Sequence, residues 1–273
     1  MGFEYKERSE ESYKQRATQR NFDGRDGIFK QGVKSFTPKA GKNKVRILPP
    51  TWKEPQHYGI DTWVHYGIGP ESSAFLCPKK MKNQPCPICE DLANPKVRED
   101  KEFFDAVKEK KRVLVYVLDR NDEAAGIKVW SMPAKLDRTF VMQATDDDIG
   151  KILRIDHPIE GYDVVFERNG EGVKTQYEGV SIARVSTPIV REASKLEEIL
   201  DIIVEQPLPE VLDYHDYNYI KSAYEGKVAP EKEPAPEKEE TETAKNVKEE
   251  EPEPSEDDEL AKMKELYKKK YSS

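Results

Sequence analysis

The stretch Val113-Leu114-Val115-Tyr116-Val117-Leu118 reads as the strongest strand in the chain. A short, continuous apolar run rich in β-branched residues fits a strand covered on both faces. Asn121-Asp122 and Gly126 then turn the chain into Ile127-Lys128-Val129-Trp130-Ser131-Met132. The two runs make a hairpin with a loop of several residues.

Working outward, Val45-Arg46-Ile47-Leu48, stopped by Pro49-Pro50, is a further strand, as are Trp63-Val64-His65-Tyr66-Gly67-Ile68 and Ala74-Phe75-Leu76-Cys77. Residues 163–167 and 174–185, joined through Asn169-Gly170, form a second hairpin. The charged segment 90–111 is helix-compatible, 136–142 is expected to be helical, and 194–204 and 209–224 are expected as two closing helices. Short antiparallel strands with one or two intervening helices predict a β-rich α+β fold with a partly open OB-type barrel as its core.

The flanks differ from this core. Residues 1–50 carry 12 basic and six acidic residues, and residues 231–259 carry 14 acidic and four basic ones. The formal charge of −8 therefore averages two opposite ends. The expected organisation is a basic N-terminal arm (1–38), a core (39–227) and an acidic tail (228–273). The tail's Pro-Glu-Lys composition predicts disorder to about residue 257. Leu260, Met263, Leu266 and Tyr267 then recur at helical spacing, which predicts a short amphipathic docking helix.

No apolar run approaches the ~20 residues that span a bilayer, and the N-terminus lacks the apolar segment of a secretory signal. Lys6 stands where myristoylation requires Ser or Thr. The expectation is an intracellular, cytoplasmic protein that does not engage membranes.

All three cysteines fall between positions 77 and 89. An odd, clustered set argues against a disulfide scaffold and for metal ligation. In Cys86-Pro87-Ile88-Cys89, two thiolates three residues apart can address one ion, and Cys77 supplies a third. A closed tetrahedral site takes a fourth Cys or His ligand. Of His57, His65, His157 and His215, the preferred candidate is His65, twelve positions before Cys77, with His57 as the alternative. Such a shell leaves no open position, so the expected ion is a single structural Zn2+. A redox pair at Cys86 and Cys89 would want a βαβ context and no third cysteine nearby.

Single strands of nucleic acid are held by a cationic groove and by aromatic stacking platforms. Lys79 and Lys80 lie on the cysteine loop, Lys110, Lys111 and Arg112 precede the strongest strand, Lys128 follows it, and Lys44 and Arg46 lead into the first strand. Trp63, Tyr66, Phe75, Phe103, Phe104 and Trp130 are interleaved with them. Composition does not distinguish DNA from RNA. Two rivals are a zinc-ribbon protein adaptor and a nuclease, the latter opposed by the lack of a phosphate-cradling Gly-rich loop or metal-binding carboxylate motif.

Asn43-Lys44-Val45-Arg46-Ile47-Leu48-Pro49, His65-Tyr66-Gly67, Cys77, Cys86-Pro87-Ile88-Cys89 and the basic stretch before Val113 resemble, over about residues 40–185, the single-stranded DNA-binding protein family of T-even-type bacteriophages. The resemblance implies an OB-fold core with a zinc subdomain at about 63–105 and His65 as the zinc ligand. It implies a non-enzymatic, sequence-independent coat for single-stranded DNA in replication, recombination and repair. Cooperative self-assembly through the arm, and contacts of replication and recombination proteins with the acidic tail, are implied too. Lys44, Arg46, Lys110, Lys111 and Arg112 match as phosphate contacts, with Phe75, Phe103, Phe104 and Trp130 near family aromatic positions. The family's Lys/Arg-Ser-Thr arm element has no clean counterpart, and the chain ends in Tyr267-Lys268-Lys269-Lys270 where the family ends acidic.

Overall fold

The structure, a computed structural model, describes residues 26–146 and 150–226. The arm before residue 26, the tail after residue 226 with its expected terminal helix, and Asp147 and Asp148 lie outside the described residues. In chain order the elements are β1 (Gly41–Ile47), β2 (Ile60–Ile68), β3 (Ser73–Leu76), α1 (Pro78–Lys82), α2 (Pro87–Asp91), α3 (Pro95–Glu99), α4 (Lys101–Val107) and β4 (Lys110–Asp119). They continue with β5 (Ile127–Pro133), α5 (Ala134–Ala144), β6 (Thr145–Asp146), β7 (Lys151–Ile152), β8 (Val164–Asn169), β9 (Gln176–Ile182), α6 (Ala193–Glu205) and α7 (Tyr217–Tyr224).

Strands pair in the order β3-β2-β4-β1-β8-β9, with β5 also joined to β4, while β6 and β7 form a separate ribbon. The order is an open path, and among the described residues no ladder joins β3 to β9. A barrel needs its end strands to pair so that no edge remains. The expected OB barrel is therefore corrected to a mixed α+β fold with an unclosed sheet. Period-2 patterning identifies strands but not their partners. β1 pairs with β4 through Val45 opposite Asp119 and with β8 through Val45 opposite Val164, both far along the chain.

Two compact units make up the chain. The second unit spans residues 36–60 and 113–210 in its described part. Its core gathers Val45 and Ile47 of β1, Val113, Val115 and Val117 of β4, Trp130 and Met132 of β5, Leu136 and Phe140 of α5, and Val164 and Phe166 of β8. Residues 113–119 are buried at every position, as the unbroken apolar run predicts. The β8–β9 hairpin turns at Gly170, whose φ of +73° suits glycine, and a Cβ there would meet the Lys174 carbonyl oxygen at 2.5 Å.

The first unit takes residues 26–35, 61–112 and 211–226 in its described part. Its core comprises Ile68, Phe75, Cys77, Cys86, Ile88, Leu92, Val107 and Ile220. Ile28 and Phe29, assigned to the basic arm by sequence, are buried, and Phe29 forms an isolated bridge with Leu212. This pairing explains why 209–224 is not one helix. Lys30 N–H donates to the Val211 carbonyl and Asp213 N–H to the Ile28 carbonyl, so the chain pairs around Leu212 after a 3-10 turn at Leu208–Val211. The helix starts only at Tyr217, where the Asp216 side chain accepts from the Tyr219 N–H.

Candidate metal centre and cationic surface

His65 lies on β2 opposite Phe75 of β3, just before a register shift. Cys77 follows β3 and extends its pairing by donating its N–H to the Trp63 carbonyl at 2.8 Å. Cys77 and Cys86 occupy equivalent local positions: each caps a short helix from extended backbone, and each is followed by proline at the first helical position. Proline there fixes φ for the turn and disfavours helical geometry at the residue before it. Between them, Asn83 at φ 53° reverses the chain after α1. Cys89 stands in the first turn of α2, so Cys86 and Cys89 meet on one side.

These local devices bring four donor atoms within 4.8 Å of one another. His65 Nε2 lies 3.6 Å from both Cys86 Sγ and Cys89 Sγ, and Cys77 Sγ lies 3.4 Å from Cys89 Sγ. A tetrahedral ion with bonds of about 2.3 Å to sulfur and about 2.0 Å to nitrogen needs separations of roughly 3.8 Å between sulfurs and roughly 3.5 Å between nitrogen and sulfur. The cluster fits a metal ion. The other ring nitrogen, Nδ1, lies 2.8 Å from the Val107 carbonyl. Its proton therefore sits on Nδ1, leaving the Nε2 lone pair for the ion. Hydrogen bonds with Cys77 and Cys89 push the Cys86 thiol below its ordinary value, while those with Cys77 and Cys86 push the Cys89 thiol up. His57, the alternative ligand, is exposed and its ring packs on Tyr58, 3.9 Å between centroids, in the other unit.

α7 covers the α2 side of this centre. The Tyr217 hydroxyl donates to Glu90 at 2.7 Å and the Tyr224 hydroxyl to Asp91 at 2.6 Å, while Ile220 enters the core beside the cysteines.

No family model matches the chain, and no curated protein matches it.

The expected nucleic-acid contacts divide sharply by environment. Lys79 and Lys80 are exposed on α1, and Lys80 pairs with Glu109 at 3.8 Å. Lys110 and Lys111 are exposed at the start of β4, with Arg112 half-buried beside them. Lys111 Nζ lies 2.5 Å from Asp61 and 5.5 Å from the Trp63 ring centroid, and the Arg112 guanidinium lies 6.0 Å from the Tyr66 ring. Phe103 is 39% exposed on α4; Phe104 is half-buried against the metal-side core and carries Lys108 at 5.7 Å. Lys82 Nζ sits 3.5 Å over the Tyr214 ring. Every cation–aromatic pair among the described residues belongs to the first unit.

Four expected contacts do not form such a surface. Arg46 is 0% exposed: its Nε donates to Asp163 at 2.8 Å and its Nη2 to Thr187 at 2.6 Å. Asp163 also binds Arg120 at 3.0 Å and Lys44 at 3.1 Å, so one buried carboxylate gathers three cations. Gly161 is required beside this lock, because a Cβ there would meet Arg46 Nη1 at 2.4 Å. Trp130 is 2% exposed, stacked on Phe166 at 5.2 Å, and belongs to the second core. Phe75 is 4% exposed and meets His215 and Tyr219 edge-on. Lys128, 18% exposed, pairs with Asp122 at 3.6 Å. Arg46, Phe75 and Trp130 are thus buried.

Sequence reading missed Asp61, Glu109 and Asp163, the carboxylates that hold the cations. For Asp61 a signal existed: in Asp61-Thr62-Trp63 it shares a strand face with the tryptophan. Among the described residues no helix is long and apolar enough to cross a membrane.

Proposed function

We propose that this chain is a non-catalytic, sequence-independent single-stranded DNA-binding protein of the kind found in T-even-type bacteriophages. It coats exposed strands in the host cytoplasm during replication, recombination and repair, and holds one structural zinc ion. The observation that carries this reading is that the first unit pairs cations with rings, Lys111 5.5 Å from the half-buried Trp63 and Arg112 6.0 Å from the half-buried Tyr66, and also exposes Lys79, Lys80, Lys110 and Phe103. Exposed cations beside accessible ring faces are the elements that single-strand recognition uses.

Capture is electrostatic: the lysines and Arg112 engage phosphates and release condensed counterions. Bases then stack, each engaged one contributing about 1–3 kcal/mol with little sequence preference. Three thiolates and an imidazole are a donor set that structural zinc takes. When bound, zinc supplies a closed cross-link between β2, the end of β3 and α2, with no open position for chemistry. Self-assembly through the arm and docking of replication and recombination proteins on the acidic tail belong to the same reading.

Titration of oligo-dT against the full chain at two salt concentrations, with duplex DNA and RNA as competitors, tests this function. Expected is preferential single-strand binding that weakens steeply with salt. Absence of oligo-dT binding at low salt overturns it. Elemental analysis is expected to find one zinc per chain, and a sample without zinc overturns the metal assignment.

A further inference from the structure

Asp61, Trp63 and Lys111 form a three-membered arrangement on neighbouring strands. Asp61 and Trp63 are two residues apart on β2, hence on one face. Lys111 reaches both from β4, with its ammonium 2.5 Å from the Asp61 carboxylate and 5.5 Å from the indole centroid. Asp61 and Lys111 are each about half exposed, at 47%. The same ammonium is thus paired with a carboxylate and drawn across the ring that the proposed function needs for stacking.

From this geometry we infer that Asp61 is a latch: it holds Lys111 over Trp63 in the free protein, and a strand phosphate releases it by competing for the same ammonium. The inference rests on the single-stranded DNA reading and adds to it a residue that lowers affinity and couples phosphate contact to base stacking. A phosphate approaching Lys111 meets a cation already neutralised. Exchange costs the Lys111–Asp61 pair and leaves the carboxylate facing the strand. In return the lysine moves with the phosphate and uncovers the indole for a base. Strand chemistry is thereby read in a fixed order, backbone first and base second. A free mononucleotide, with one phosphate and no neighbouring phosphates to hold the released lysine, opens the latch poorly. Both latch residues lie at the surface, where an ion pair contributes little to stability, so its loss leaves the fold intact.

The test uses the full chain with Trp52→Phe, which leaves Trp63 and the buried Trp130 as the fluorescent indoles. Without DNA, Asp61→Asn is expected to raise acrylamide quenching as Lys111 leaves the ring; unchanged quenching overturns the latch. With oligo-dT, the same variant is expected to bind about two- to fivefold more tightly at low salt. Its plot of log affinity against log salt is expected to steepen by up to about 0.7. The gain must disappear when Lys111→Gln is added. A gain that persists there reflects general charge removal and overturns the latch. If the parent binds oligo-dT and Asp61→Asn changes neither affinity nor slope, the latch fails and the function stands. If neither protein binds, the function fails and the phosphate-released latch falls with it.

Discussion

His65 Nδ1 and the Val107 carbonyl oxygen lie 2.8 Å apart, joining a metal-ligand ring on β2 to the last residue of α4. Val107 is followed by Lys108, Glu109, Lys110, Lys111 and Arg112, so the bond that fixes the imidazole tautomer also anchors the start of the cationic segment. The candidate metal cluster and the cationic segment are therefore mechanically linked within the first unit.

Replacing Cys86 by Ser removes one of the four candidate ligands, at the residue that precedes α2. The expected outcome is loss of bound zinc, a lower melting temperature and weaker oligo-dT binding, because metal binding energy is folding energy here. His57→Ala is expected to keep one zinc per chain. Elemental analysis beside a thermal melt checks both, and retention of zinc by the Cys86 variant would contradict the four-ligand assignment.

Asp163→Asn leaves the Arg46 guanidinium buried without its counter-charge. Breaking a buried pair from one side costs about 3–5 kcal/mol, readable as a shift in the urea midpoint. Thr187→Val, which removes one hydrogen bond to the same guanidinium, is expected to cost less, about 1–3 kcal/mol.

The same carboxylate sets an acid limit. Burial acts to raise the Asp163 pKa, but Arg46 and Arg120 outweigh it and hold the group below its ordinary value. A depressed carboxylate contributes stability that is fully present above its unfolded value of about 3.9 and disappears as pH falls through the lower folded value. Stability of the parent is thus expected to fall more steeply than that of Asp163→Asn below about pH 4. Parallel acid slopes in the two proteins rule this out.

Phe103 and Trp130 offer a direct contrast between surface and core aromatics. Trp130→Ala empties a site stacked by Phe166 and is expected to cost about 3–5 kcal/mol of stability. Phe103→Ala is expected to change stability by less than about 0.5 kcal/mol while weakening oligo-dT binding by about 1–3 kcal/mol if the ring stacks on a base. Urea unfolding and fluorescence titration of both variants separate the two effects.

The metal centre was legible because its chemistry is local. Cys86 and Cys89 sit one helical turn apart, and each of Cys77 and Cys86 is set by the proline after it. Only the histidine needed tertiary information. Lys79, Lys80, Lys110 and Lys111 were legible as surface for a similar reason, since the first two lie on the five-residue α1 and the last two precede the apolar run of β4 that begins at Val113. Arg46 was not, because its counter-charge stands 117 residues along the chain at Asp163. Nor was the burial of Trp130, whose cover comes from Phe36, Phe140 and Phe166. Sheet closure failed on the same ground, since strand patterns do not record that β1 sits between β4 and β8.

The cover that α7 lays over the α2 side of the metal loop has a consequence for synthesis. All four metal ligands have left the ribosome once Cys89 is out, but Ile220 and Tyr224 follow roughly 135 residues later, an interval of about 7–27 s at translation rates of roughly 5–20 residues per second. During that interval the α2 side of the cluster lacks the cover of Tyr217, Ile220 and Tyr224. Arrival of α7, the last helix among the described residues, then covers that side, so an ion is expected to load faster into a nascent chain ending before Tyr217 than into the finished one.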